Sequence, residues 1–212
     1  MPLPLGHAVV GFSVTAASGV PFRRQTLTAI LFSIVVANLP DLDFLPGALA
    51  NTPVLYHRTV AHTLPAALLC GLIVGAVLTR FRARFWEISL LAAVVYASHL
   101  FADMVDLGGD NIGVQLLWPF TENWYSIQTP FSGTDGGWLT FNRGDDSAGF
   151  FASLLSLDFL RVQLLQGLAF APTLLIPWLA HRRRVRSLAK DRLDPGSLPA
   201  KLGTTDGVDV GA

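Results

Sequence analysis

The chain carries one cysteine, Cys70, in 212 residues, so no intrachain disulfide, zinc ribbon or paired-thiol redox centre can be built from it. Charge is scarce as well. Only 14% of residues are Asp, Glu, Lys or Arg, against about 25% in an average soluble domain; with half of the chain hydrophobic, this excludes a disordered protein and argues against an ordinary soluble one. The 15 basic and 15 acidic residues cancel, leaving no global field to hold nucleic acid, and no nucleic-acid partner is expected. The opening MPLPLGHAVVGFSVTAASGV lacks the basic start of a cleavable signal, its first charges being Arg23 and Arg24, and is read as part of the mature chain. No internal repeat is evident.

What the sequence has is apolar surface: 51% of residues are hydrophobic and the mean hydropathy is +0.48. Five apolar stretches, at about residues 5–20, 27–39, 64–78, 88–105 and 160–180, are separated by charged or Pro/Gly-rich breaks. A helix crossing about 30 Å of hydrocarbon needs about 20 residues. The last three stretches reach or approach this with their flanks. The first two are shorter and carry Ser, Thr and Gly, which fits either full spans in a thinned region or a partly inserted hairpin. The fold class expected is all-α, a multi-pass transmembrane bundle of about five apolar helices. Gly71 and Gly75 form a GxxxG in the third stretch and predict a close helix contact.

If the stretches alternate in direction, Arg23, Arg24, Arg80, Arg82, Arg84 and the basic residues from Arg182 to Lys201 fall on one side, leaving Arg58, Arg143 and Arg161 on the other. Cytoplasmic flanks are rich in Lys and Arg, so the N-terminus is expected outside and the C-terminus in the cytoplasm. Most acids, including Asp41, Asp43, Asp103 and Asp158, then fall outside. Residues 1–186 are expected to form one membrane-embedded domain with an outer loop at 106–158, and residues 187–212 a disordered cytoplasmic tail. The loop, with Trp118, Trp124 and Trp138, reads as irregular with a short hairpin, its aromatics as headgroup-level anchors, and its end GFFASLLSLDFL as an interfacial helix.

Of the five histidines, His181 lies in the basic HRRR run and is read as interfacial. The other four, His7, His57, His62 and His99, fall at the outer ends of separate segments, with Asp41 and Asp43 of NLPDLD and Asp103 beside them. His99 and Asp103, at i and i+4, project from one helix face and can grip one ion. Pro40 ends the second helix where the Asp pair begins. His57 is expected in a loop and His62 in the first turn of the next helix. Ionisable groups in apolar segments are costly unless paired, and thiolate-free N/O donors suit Zn, Mn or Fe. This surplus of ligands suggests one or two divalent metals with an open catalytic position. Asp41 or Asp103 would act as base, and Arg58 would face developing negative charge.

The ordered set GHA, NLPDLD, HRTVAHT, HLFAD, then LLWPF with NWYSI resembles the YdjM-type, DUF457 family of inner-membrane proteins, described as metal-dependent hydrolases. The resemblance covers residues 5–127. It implies a metal set of His7, Asp41, Asp43, His57, His62, His99 and Asp103, matched position by position. Thr59 and Thr63 depart from the usual Gly and Ser, and DMVDLGGDNIG is longer and more acidic than the usual segment. The leading expectation is an inner-membrane, metal-dependent hydrolase, zinc being the favoured metal, with a membrane lipid as partner and a phosphoester or other headgroup-linked lipid as substrate. The alternatives are a metal or proton transporter, for which polar residues would run through the full depth, and a non-enzymatic membrane scaffold or regulatory protein.

Overall fold

A computed structural model describes residues 3–19, 26–52, 57–80, 84–105, 113–129 and 146–193. Arg23, Arg24, Arg82, Asp106, Asp110, Asp135, Trp138, Arg143, Asp145 and residues 194–212 of the expected tail lie outside them. The fold is all-α: α1 (Pro4–Ser18), α2 (Thr26–Asn38), α3 (Phe44–Leu49), α4 (Leu64–Thr79), α5 (Phe85–Met104), α6 (Ser147–Leu154), α7 (Leu157–Phe170) and α8 (Leu175–Leu193). The described part of the outer loop contributes two isolated bridges, Val114 with Tyr125 and Val105 with Ile127.

Three helical runs are long and apolar enough to cross a membrane: Leu27–Leu49, Phe85–Met104 and Leu157–Arg186. The second apolar stretch is thus longer than its sequence suggests. Pro40 does end α2, but a 3-10 turn at Pro40–Asp43 carries the chain straight into α3. Conversely the third stretch yields α4, which is apolar but only 16 residues, about 24 Å. The last stretch is α7 and α8 joined through a 3-10 turn at Ala171–Leu174, and α8 continues past Arg186 to Leu193.

Most Leu, Ile and Val of α2, α4 and α7 point outward, as expected where lipid is as apolar as any core, while the interior combines a small apolar core with small and polar residues. The central helix is α5: Leu91, Ala92, Val95 and Leu100 pack with Phe32 and Val36 of α2 and Ala67 of α4. The GxxxG contact is present, for a Cβ on Gly71 would come within 2.5 Å of the Ser89 carbonyl oxygen, and Gly75 faces the Ser89 side chain. Only glycine allows that approach.

α1 lies parallel to α7 and α8 and is bonded to them along its length. Its unpaired first-turn amides donate to Gln side chains of α7: Leu3 N to Gln166 Oε1 and Leu5 N to Gln163 Oε1 (2.8 Å). Ser13 and Thr173 share a hydroxyl contact at 2.9 Å, and Arg184 donates to the Ala17 carbonyl at 3.0 Å. Where water is excluded, each helix end must find such partners within the protein. Arg184 therefore marks the end of α1 remote from His7.

Candidate metal centre

Four chain segments converge at one end of the bundle. α1 supplies His7 from its first turns, the 3-10 turn after α2 supplies Asp41 and Asp43, the Val60–His62 turn supplies His62, and the last turn and a half of α5 supplies His99 and Asp103. Thr63 caps α4 by accepting from Ala66 N (3.2 Å), with Pro65 in the first turn, and this fixes where the helix starts relative to His62. His57 and Arg58 arrive on the preceding turn. Arg58 has φ +66°, a left-handed conformation costly for a non-glycine residue, and its amide donates to Asp43 Oδ2 at 3.0 Å.

The donor atoms have the spacing of a coordination polyhedron. His62 Nε2 stands 3.1 Å from His99 Nε2, 3.2 Å from Asp103 Oδ2 and 3.7 Å from Asp41 Oδ1; His99 Nε2 is 3.5 Å from both carboxylates. Ligands bound at about 2.0–2.1 Å to one tetrahedral ion stand about 3.3–3.4 Å apart. Two groups of atoms can each surround an ion: His7, Asp41, His99 and Asp103, and Asp41, His57 and His62. Asp41 belongs to both. Its Oδ1 is buried without a hydrogen bond, which is costly unless a cation faces it.

The rings are oriented from behind. His99 Nδ1 donates to the Ala37 carbonyl at 2.7 Å, turning Nε2 inward. Asp43 accepts from His57 Nδ1 at 2.8 Å and from His62 Nδ1 at 3.0 Å, so it stands on the outer side of both rings. Backing of this kind fixes the tautomer and raises the basicity of ligating imidazoles. His7 stacks on His99 with centroids 3.6 Å apart, and its Nε2 lies 3.5 Å from Asp103 Oδ1. Arg58 is buried, its Nε 3.7 Å from Asp103 Oδ2 and one terminal nitrogen 3.4 Å from the Gly113 carbonyl.

Every site residue expected from the sequence therefore meets in one cluster: His7, Asp41, Asp43, His57, Arg58, His62, His99 and Asp103. Asp43 stands outside both ion-sized groups. His181 lies on the exposed surface of α8, near the opposite end. Gln163 and Gln166, which hold the start of α1, are not among the expected site residues; two amides one turn apart in an apolar run are the signal the sequence offers for them. The Ala37 carbonyl has no side-chain signal at all.

Apolar helices around a buried His/Asp cluster define a polytopic membrane protein with a site able to hold metal. The chain belongs to the YdjM inner membrane protein family, whose description matches residues 1–169. No curated protein and no solved structure matches it.

Proposed function

We propose that this protein is a membrane-embedded hydrolase that uses one or two divalent transition metals, zinc being favoured, to cleave a phosphoester or comparable headgroup-linked bond of a lipid. The supporting observation is the donor spacing around Asp41 Oδ1, a buried oxygen without a hydrogen bond, which suits an ion. Bound there, divalent ions supply Lewis acidity, making water a nucleophile at neutral pH and polarising the scissile bond. His7, His57, His62, His99, Asp41 and Asp103 hold the ions. Asp43 fixes the His57 and His62 rings. Asp41, the ligand carboxylate at the partly exposed edge, takes the proton from water. Arg58 presents its guanidinium to the phosphoryl oxygens. Mixed His/Asp sites of this kind resemble those of zinc phospholipases C, an analogy of site chemistry alone.

In this reading the cluster faces outward. Arg80, Arg84 and Arg182 to Arg186 stand at the opposite end, the end that the positive-inside rule assigns to the cytoplasm. The hydroxyls of Ser13, Thr15 and Ser33, buried beyond the cluster, bond to carbonyls one turn earlier in their own helices, and across helices Ser33 bonds Thr15 and Ser13 bonds Thr173, both at 2.9 Å. Groups already paired in this way favour hydrolysis over an ion path. The test is release of product from phospholipid by the purified protein: activity should disappear on chelation, return with Zn or Mn, and fall at least about 100-fold in Asp41→Asn. Wild-type turnover in both the chelated protein and that variant would defeat the mechanism.

A further inference from the structure

Two rulers measure how deep the cluster sits. On α7–α8, Arg161 and Arg182 bracket an uncharged stretch, residues 162–181, whose rise is about 30 Å, the thickness of the hydrocarbon core. Arg182 covers the Trp178 ring at 4.0 Å, an anchor for one boundary; Arg161 pairs with exposed Asp158 at 2.8 Å, marking the other. α1 is pinned to this ruler by Gln163 and Gln166, and Leu5 packs on Gly167. His7, half a turn further in, is thereby about 8–10 Å inside the Arg161 boundary. The second ruler is α5, which starts beside the exposed Arg84–Glu87 pair. His99 and Asp103 lie about 22 and 28 Å beyond Arg84, hence about 2–8 Å short of the far boundary.

A separate observation agrees. Leu42, Leu45 and Leu49 follow Asp41 in the 3-10 turn and α3, and they are 50%, 44% and 90% exposed. A row of leucines left bare at and past the level of the site fits hydrocarbon that reaches that far. They continue the lipid-facing row of α2 formed by Leu31, Ile34 and Val35. The cluster comes to the surface beside them, for Asp41 and Asp43 keep 13% and 10% of their side-chain surface whereas His7, His62, His99 and Asp103 keep none.

We infer that the metal centre lies inside the hydrocarbon edge of its leaflet, and that a bilayer phospholipid reaches it sideways across Leu42, Leu45 and Leu49. Of the two phosphoester bonds of such a lipid, the one between phosphate and glycerol is the deeper and so the nearer to the site. The substrate rests on the hydrolase reading; the depth does not. In vesicles of phosphatidylcholine, protein loaded with Mn²⁺ should relax a nitroxide at the ester end of the acyl chain more strongly than one on the headgroup. The His99→Ala, Asp103→Ala double variant serves as the metal-free blank. A stronger effect on the headgroup nitroxide would overturn the depth. Leu42→Glu with Leu45→Glu should weaken the ester-end relaxation and lower hydrolysis of bilayer phosphatidylcholine about tenfold or more. Metal content and cleavage of a water-soluble short-chain phosphoester should be unchanged. Equal loss on both substrates, or no loss on either, would overturn the lateral approach. If wild type cleaves neither substrate, the hydrolase reading fails, and the relaxation measurements still decide the depth and the approach.

Discussion

Asp43 Oδ2 accepts from His62 Nδ1 at 3.0 Å, on the side of the ring away from Asp41, and its other oxygen takes His57 Nδ1 at 2.8 Å. One carboxylate thus aims two imidazoles inward while the other, two residues earlier, faces their Nε2 atoms. The two aspartates of NLPDLD have different jobs, and they should respond differently to the same substitution. Asp43→Asn should weaken metal binding about 10–100-fold, as expected for a group that orients ligands, whereas Asp41→Asn should abolish tight binding at both groups. Chelator competition on the purified variants distinguishes the two.

Metal should be recovered with the wild-type protein and should raise its melting temperature, because the donors come from separate segments and close only in the fold. At a hundredfold excess over Kd the gain is about 2.7 kcal/mol. His99→Ala with Asp103→Ala should remove the metal, and His181→Ala should leave it. Full occupancy in the double variant would refute the ligand assignment.

Gln163 and Gln166 should matter although neither is one of the ligating residues. Replacing either by Met leaves a first-turn amide of α1 without its acceptor, at a cost of about 1–2 kcal/mol. His7 loses its anchorage with it. The expected result is weakened binding in the His7 group with the His57–His62 group preserved, seen as a changed Co²⁺ absorption spectrum. Gln166→Glu keeps an acceptor oxygen and should retain much of the binding that Gln166→Met loses.

Reporter fusions after Arg84 and after Ala212 should read cytoplasmic, and one within residues 134–146 external, as the distribution of Arg and Lys requires. A tail that reads external would reverse the outward orientation.

The sequence by itself determined the class of the protein and the inventory of its site. Long apolar runs with so little charge between them call for lipid, and a His or Asp inside them is too expensive to be idle, so composition and spacing together pointed to His7, Asp41, Asp43, His57, His62, His99 and Asp103, Asp43 being read there as a ligand like the rest. Pro40 placed the helix break for the same local reason, the missing amide. Tertiary structure decided the rest. Periodicity along one segment says nothing about a partner on another, so only the folded chain could put Asp43 behind His57 and His62, set the Ala37 carbonyl on His99, and give the start of α1 to Gln163 and Gln166. It also carried α2 through the 3-10 turn into α3, because a proline forbids one hydrogen bond without forbidding the chain to continue in the same direction. The metal-sized gap around Asp41 belongs to no segment. It exists because four helix ends stop at the same depth.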